Sequence, residues 1–548
     1  MRTILIGVAW PYANSALHLG HVAGTWLPAD IFGRYHRLRG HRVLMVSGSD
    51  EHGTPITVTA DKEKKTPQEI VNRFHAENHN ALKRLGVDIE CYFRTTDTFH
   101  KQVAQRIFLT LLEKGLIVER ASQALFCVAC NRFLPDRYVE GVCPHCQAPD
   151  ARGDQCDRCG KTLDPADLKS PRCRLCGNRP EFRETRLHYL RLPALSAKLE
   201  DYLKSRKGWR SNVLRFTQNW IKEGLNDRPI TRDLHWGVPV PLPGHDGKCL
   251  YVWFEAVIGY LSAAQFWAKD SGSPEAWEEF WTNPQAESYY FIGKDNIPFH
   301  TIIWPAILLG LGGLNLPTNV PANEYLLLSG EKFSKSRGIG ASLTECLEAF
   351  DPDQIRYHLA SIMPEASDAN FSWDDFIQKN NDELLSTVGN LINRVLLFAQ
   401  KTFGKIPQPS AIPGPDEAML EAAAKRHLEA AGQAIEACEF KKGLREILAM
   451  AQAGNQYVNG QAPWKLAKQD PARCQSVTYA ALDLCRCLTV AIHPYLPFSA
   501  TRAWSMLGFD KPLGPGDWGE RAPKLEPGRL FGEIGPLFRK IEREPVAP

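Results

Sequence analysis

Residues Thr3–Ala9 form an almost continuous apolar run, the pattern of a strand buried on both faces. A loop, Trp10–Leu17, leads into a stretch from about His18 to Leu38 with helical spacing, and a second apolar run, Arg42–Ser47, follows the turn at Gly40. Thr66–Leu85 and Lys101–Lys114 again carry helical spacing. Strand, helix and strand in this order predict a parallel α/β sheet. The pattern stops near Glu119 and resumes at Tyr289–Gly293, followed by a helix over Asp295–Leu311 and a last strand of the sheet at Glu324–Ser329. From Trp373 onward strand patterns vanish. Asp382–Lys401, Glu417–Ala437 and Val477–Ala491 read as amphipathic helices of a bundle, two of them separated by the proline-rich loop Gly404–Pro415. Lys511–Pro548, rich in Gly and Pro, reads as loop plus a short terminal helix. The expected parts are an α/β domain in two pieces, 1–118 and 231–322, an insertion at 119–230, a region at 323–375 carrying the loop discussed below, and an all-α bundle at 376–548.

The chain has 548 residues, 44% of them hydrophobic and 23% charged, as in ordinary globular proteins. Its 65 basic and 62 acidic residues give a net charge of +3, which excludes a polycation but permits local basic faces. No apolar run reaches the ~18 residues of a membrane span. Thr301–Leu311, the most apolar stretch, is broken by Pro305 and Gly310. The N-terminus runs straight into a strand without a secretory h-region or transit-peptide composition, so a cytoplasmic protein is expected.

The cysteines change the picture more than the charge does. Fifteen is an odd number, which argues against a fully paired disulfide framework. Eight form four Cys-x-x-Cys pairs between Cys127 and Cys176, where composition alone would give about 0.4 such pairs over the whole chain. Four thiolates make one closed, structural zinc site, and eight make two. Nine residues separate Cys146 from Cys156, a loop short enough for one pair of knuckles. The inner four, Cys143, Cys146, Cys156 and Cys159, are therefore assigned to a first zinc and the outer four, Cys127, Cys130, Cys173 and Cys176, to a second, within a knuckle region at 125–180. His145 is a competing donor inside one knuckle. So small a unit buries little core, and metal supplies its folding free energy.

Two further motifs flank the α/β core. His18-Leu19-Gly20-His21 lies where the first strand passes into its helix, the edge at which open parallel sheets bind ligands. Helix N-termini there attract phosphates, and Gly20 lets a nucleotide base approach the backbone. Lys332-Phe333-Ser334-Lys335-Ser336 follows the last strand in a glycine-flanked loop whose cations can close over a triphosphate. Taken singly, the histidines also read as a pair capping or packing a helix, and the lysines as an ordinary solvated basic loop.

Together the two motifs resemble the paired ATP signatures of class I aminoacyl-tRNA synthetases. The closer resemblance is to the methionyl-tRNA synthetase family, through Ala9-Trp10-Pro11-Tyr12-Ala13-Asn14, Asp50-Glu51-His52-Gly53-Thr54-Pro55, Tyr251–Ala256 with Ile258-Gly259-Tyr260, and Phe291–Asp295 with Phe299-His300. It runs from about residue 3 to about 510. The resemblance implies a Rossmann-like catalytic domain with a zinc-knuckle insertion and a helical anticodon-binding domain. The implied reaction activates L-methionine with ATP to methionyl-adenylate and pyrophosphate, then passes methionine to the 3′ end of tRNA(Met), with Mg²⁺ accompanying ATP. Catalytic contacts fall on His18, His21, Lys332 and Lys335, and the wider ATP site on Gly20, Lys294, Asp295 and Ser334. Around the substrate stand Ala9, Trp10, Tyr12, Trp253, Tyr260 and His300, with Asp50 on its ammonium. Methionine has no side-chain donor, so shape and sulfur–aromatic contact must select it. Trp10 and Val257 depart from the leucine and proline found among relatives and alter the pocket's shape. Asn390, Arg394 and Trp464 fall where the family reads the anticodon, the first two four apart on one helix face. The leucyl, isoleucyl and valyl enzymes carry large editing insertions where this chain has knuckles, a cysteinyl enzyme places zinc in its amino-acid site, and a non-catalytic RNA-binding relative need not keep both motifs. The Gly/Pro-rich C-terminal stretch is too short for an appended dimerising barrel, so a monomer is expected.

Overall fold

The computed structural model describes residues 1–153, 156, 158–159, 161, 163–328, 331–332 and 342–542. Thr3–Val8 lies in the middle of a five-stranded, all-parallel sheet with the order Ala322–Asn323, Glu287–Gly293, Thr3–Val8, Arg42–Ser49, Cys91–Arg94. Ile6 pairs with Tyr289 on one side and Met45 on the other. Ile4, Leu5, Ile6 and Val8 are all buried, which is why their run is unbroken rather than alternating. The chain builds outward on one side of the first strand, then returns to build on the other. The strand order therefore reverses between Thr3–Val8 and Glu287–Gly293, and a crevice opens beyond their carboxyl ends.

The helical stretch after the first strand is continuous but widened. Leu19–His21 and Leu27–Leu38 are joined by a π turn, Val22–Trp26. The buried Asn323 side chain donates to the carbonyls of Ala23 and Gly24 in that turn, at 3.3 and 3.0 Å. A second π turn, Phe299–Ile303, interrupts the helix expected over Asp295–Leu311. Such bulges favour functional sites because they turn side chains off the regular helical face.

One strand assignment needs correction. The sheet's edge strand is Ala322–Asn323, whereas Leu326–Leu328 belongs to a separate three-stranded sheet with Glu331–Lys332 and Ala369–Phe371. The chain is drawn across by the N–H groups of Glu324, donating to the Pro364 carbonyl at 2.8 Å, and Tyr325, donating to Asp368 at 2.8 Å.

The insertion is a long hairpin. Ile117–Cys127 and Glu181–Leu190 pair antiparallel from Ile117↔Leu190 to Phe126↔Glu181, with the cysteines at the tip. Beyond it, helices Ser196–Lys204 and Ser211–Glu223 place Leu199 and Val213 in the same buried cluster as Leu5 and Val46.

The C-terminal half contains helices Asn390–Phe403, Pro415–Glu436, Phe440–Gln461, Pro463–Gln469, Pro471–Ile492 and Pro497–Met506. The short terminal helix expected in Lys511–Pro548 does not occur among the described residues 511–542, where only a single 3₁₀ turn, Gly519–Arg521, interrupts extended chain. The many Gly and Pro residues cannot sustain an i→i−4 ladder. Instead the segment runs back along the molecule. The N–H groups of Gly516 and Trp518 cap the carbonyl of Leu38 at 2.9 and 3.1 Å, and the Ile541 N–H donates to Asn381 at 3.0 Å. No helix among the described residues is long and apolar enough to cross a membrane.

Candidate active site

The crevice is a cleft of about 400 Å³ whose lining includes Ala9, Trp10, Tyr12, His18, Gly20, His21, Asp50, Trp253, Tyr260, Asp295 and His300. Residues 9–50 and 253–300, more than 200 positions apart in the chain, thus meet where the strand order reverses. Gly24 and Thr25 of the first π turn and Phe299 of the second also line it.

One end is aromatic. Trp10 leaves the first strand into a slot between two glycines. A Cβ at Gly48 would lie 2.6 Å from the indole, and one at Gly259 would lie 2.8 Å from it. The indole meets Tyr260 edge-on at 6.3 Å. Tyr12 meets Trp253 edge-on at 6.4 Å, and Trp253 stacks on Phe299 at 3.9 Å. Trp253 and Tyr260 lie two turns apart on helix Val252–Asp270. His300 Nδ1 is 2.9 Å from the Asn296 carbonyl, which can only accept, so that nitrogen holds the proton. Its Nε2 then accepts from the Tyr260 hydroxyl at 2.7 Å. Burial lowers the His300 pKa to about 4, so the ring is neutral. Tyr260's only proton is committed to His300, and this pair presents polarisable surface without a spare donor. That suits a side chain with nothing to donate.

Asp50 closes the same end. It follows Arg42–Ser49, donating its N–H to the Pro11 carbonyl and accepting from the Ala13 N–H, both at 2.9 Å. Burial, and after it the Glu255 carboxylate, push the Asp50 carboxyl well above the ordinary range. Glu255 goes the other way. Burial opposes its charge, but His52 Nδ1 at 3.1 Å and His100 Nε2 at 2.7 Å hold its pKa below the usual value. No basic side chain among the described residues pairs with Asp50. A ligand ammonium would supply the missing counter-charge.

The other end is built to donate. The His18 and His21 rings stack with centroids 3.7 Å apart. The His18 N–H donates to His21 Nδ1 at 3.3 Å, which puts the His21 proton on Nε2, and burial lowers that ring's pKa to about 4. His21 is therefore a neutral donor. The basic loop starts at Glu331–Lys332, paired with Leu327–Leu328, and ends where Ser342 bridges the His18 backbone and the Leu343 N–H donates to the Leu17 carbonyl at 2.8 Å. Its far anchor thus sits against the histidine motif. Ser334 and Lys335 lie outside the described residues, as does the Lys332 side chain.

Lys294 is not brought into the lining. Its ammonium pairs with Glu324 and Asp368 at 2.8 Å each and lies 4.0 Å over the Tyr325 ring. Burial works against its charge, but these carboxylates raise its pKa. Tyr325 in turn donates to Asp295. Sequence reasoning missed Arg137, which reaches the cleft from the turn Asp136–Tyr138 of the insertion and lies 5.8 Å over the Tyr12 ring. No motif near it could have flagged it. Phe299, next to His300 in the same motif, also lines the cleft, a role its apolar character in the sequence does not distinguish from core packing.

The eight knuckle cysteines form two clusters, Cys127/Cys130/Cys173/Cys176 and Cys143/Cys146/Cys156/Cys159, each with its sulfurs within 4.8 Å of one another. The sulfur–sulfur edges are 3.5 Å for Cys127–Cys176, 3.9 Å for Cys130–Cys173 and for Cys143–Cys159, and 3.6 Å for Cys146–Cys156. A tetrahedron with about 2.3 Å metal–sulfur bonds has edges of about 3.8 Å, so both donor sets fit a four-coordinate metal. All eight cysteines are free of disulfides. His145 is exposed and belongs to neither cluster.

On the bundle, Asn390 opens helix Asn390–Phe403 and is exposed, and Arg394 follows one turn later. The Arg394 guanidinium donates to Asn459 at 2.7 Å and lies 5.4 Å over the Trp464 ring, which is 44% exposed. A left-handed residue, Ala462 at φ 44°, turns the chain so that Trp464 faces outward.

Comparison with known proteins covers the whole chain. A family model described as tRNA synthetases class I (M) matches residues 4–396, and one described as the anticodon binding domain of methionyl tRNA ligase matches residues 406–547. The methionine–tRNA ligase of Thermomicrobium roseum is 46% identical over 571 aligned residues, covering 100% of this chain and 98% of that protein. That of Dehalococcoides mccartyi strain CBDB1 is 50% identical over 539, covering 98% and 97%. The crystal structure of Mycobacterium tuberculosis methionyl-tRNA synthetase bound by methionyl-adenylate is similar with a TM-score of 0.81 at 25% identity, covering 98% of this chain and 100% of that one.

Proposed function

The chain belongs to the class I methionyl-tRNA synthetase family, and from that premise we propose how its cleft divides the work. The reaction is methionine–tRNA ligation. Methionine and ATP give methionyl-adenylate and pyrophosphate, and the methionyl group then passes to the 3′ end of tRNA(Met), with release of AMP. The methionine thioether lies among Trp10, Tyr12, Trp253, Tyr260 and His300, beside Ala9, and its ammonium on Asp50. The carboxylate is then left free to attack the α-phosphate. His18 and His21 donate to phosphate oxygens, Gly20 admits the base, and Asp295 stands at the nucleotide end. Lys294 acts from the rim, through the carboxylates it pairs with. Lys332, Ser334 and Lys335 neutralise charge as it develops on the phosphates. Mg²⁺ bound with ATP would share that neutralisation. The observation that carries this reading is the buried Asp50, without a cationic partner among the described residues, beside an aromatic pocket and facing the stacked His18–His21 pair across one cleft.

Zinc is the metal assigned to the two tetrathiolate clusters, and it is structural because four thiolates leave no position open. In the bundle, Trp464 stacks on an anticodon base while Asn390 and Arg394 read base edges. The corresponding division is catalytic residues 1–118 and 231–322, a knuckle-bearing insertion at 119–230, a tRNA-stem contact at 323–375 and anticodon binding at 376–548, in a cytoplasmic monomer. ATP–pyrophosphate exchange tests the chemistry. Methionine should support it and leucine or cysteine should not. Exchange of equal rate with leucine would overturn the pocket assignment. Lys335→Ala should slow adenylate formation roughly 10²–10³-fold with methionine affinity nearly unchanged, since a contact made only in the transition state leaves ground-state binding alone. Weakened methionine binding at an unchanged rate would contradict its role.

A further inference from the structure

Far from the cysteine clusters, the base of the inserted hairpin gathers Glu119, His188 and His245. Glu119 and His188 stand directly opposite each other across the antiparallel pair, and His245 comes from the loop before strand Lys248–Leu250. One ligand atom from each lies within 4.8 Å of the other two. His188 is 2% exposed, and its Nδ1 has no hydrogen-bond partner.

The His245 tautomer is what makes the cluster informative. Its Nδ1 lies 3.0 Å from the Pro243 carbonyl, which can only accept, so Nδ1 carries a proton. Its Nε2 lies 2.9 Å from a Glu119 carboxylate oxygen. In the neutral ring these are two acceptors face to face. A cation ligated by both resolves the conflict. Two donors about 2.05 Å from a metal and at right angles lie about 2.9 Å apart, the separation found here. The supporting contacts also match a metal site. A ligating histidine ordinarily gives its second N–H to a backbone carbonyl, as His245 gives its own to Pro243. The other Glu119 oxygen is fixed by Arg186, which donates to it at 2.7 Å.

We propose that Glu119, His188 and His245 bind a divalent transition-metal ion of zinc's class, with its remaining positions held by water. Two imidazoles and one carboxylate suit such an ion, and a three-ligand set leaves the site open. The ion would tie the hairpin stem to the loop that leads into strand Lys248–Leu250 and the helix bearing Trp253.

The test uses the holoenzyme with both thiolate clusters zinc-loaded. Co²⁺ is added, excess is removed, and bound metal is counted while the visible spectrum is recorded. The wild type should take one Co²⁺ per chain with weak d–d bands and no thiolate charge-transfer band, which separates this site from displacement of zinc at the knuckles. E119Q and H245Q, both at partly exposed positions, should lose that equivalent and retain both zinc ions. A wild type that holds no more Co²⁺ than H245Q, or an equivalent that survives in both variants, overturns the proposal. His245 would then be an imidazolium paired with Glu119.

Discussion

Trp10 occupies its slot only because Gly48 and Gly259 carry no Cβ. Gly259→Ala should push the indole toward the substrate side. Overpacking of this kind costs about 1–3 kcal/mol, so the methionine dissociation constant should rise roughly tenfold while the fold persists. Isothermal titration of the variant measures it, and unchanged affinity would place the indole away from the substrate. Asp50 gives a prediction with a sign. Its carboxyl is raised by burial and by Glu255, so part of the free enzyme is protonated at pH values above the ordinary aspartate value of about 3.9. An ammonium binds only the carboxylate. Methionine binding should therefore release protons, and affinity should fall as pH drops below the raised pKa. Titration in buffers of different ionisation enthalpy reads the proton release directly. Binding that is flat in pH, or that releases protons equally in Asp50→Asn, would refute the assignment. These residues were legible in the sequence because they cluster in short local runs at strand ends. Arg137 was not, because only the folded insertion carries it to the cleft.

Helices Leu27–Leu38 and Pro352–Ser361 are joined by charges with no exposure at all. Arg356 donates to Asp30 at 2.6 Å, to the Tyr495 carbonyl at 2.6 Å and to the Pro494 carbonyl at 2.9 Å, while Arg34 holds Asp30 at 3.0 Å. Burial by itself would raise the Asp30 pKa, but Arg34 and Arg356 together lower it. Arg356→Met should cost about 3–5 kcal/mol, because it leaves the buried Asp30 to Arg34 alone and unpairs the Tyr495, Pro494 and Leu85 carbonyls. A urea midpoint that does not move would show the network to be dispensable. Since the folded pKa lies below the unfolded one, Asp30's contribution is complete above about pH 4 and is lost as pH falls through the lower folded value. Continuous apolar runs and helical spacing disclose three strands of the parallel sheet, Thr3–Val8, Arg42–Ser49 and Glu287–Gly293, and three of the bundle helices. They hid Phe440–Gln461, whose glycines break the apolar stripe. Gly454 is there because Leu391 and Leu484 come within 2.7 Å of where its Cβ would be, a tertiary demand that leaves no local trace. The Leu326–Leu328 strand was misassigned for a similar reason, since its partner Ala369–Phe371 lies a whole helix pair further along.

The knuckle tip and the rest of the molecule should come apart cleanly. The tip's own buried cluster is small, built around Leu125, Leu134, Tyr138, Val139 and Leu168, whereas the parallel sheet lies within far larger clusters. Strong chelation should therefore melt the tip and leave the sheet folded, seen as lost protection from hydrogen exchange confined to residues 125–180. Cys127→Ala should release one zinc and leave the inner cluster filled, by elemental analysis. Loss of both ions would show that the two clusters are not separable. The strap formed by residues 511–542 carries a different implication, one about time. Its Gly516 and Trp518 N–H groups cap the Leu38 carbonyl, at the end of a helix that is synthesised long before them. Domains generally fold as they leave the ribosome, N-terminal part first. Here the helix Leu27–Leu38 waits for residues about 480 positions further along the chain before its end is closed. A nascent chain arrested before residue 511 should hold a formed sheet whose Leu27–Leu38 helix still frays at its carboxyl end.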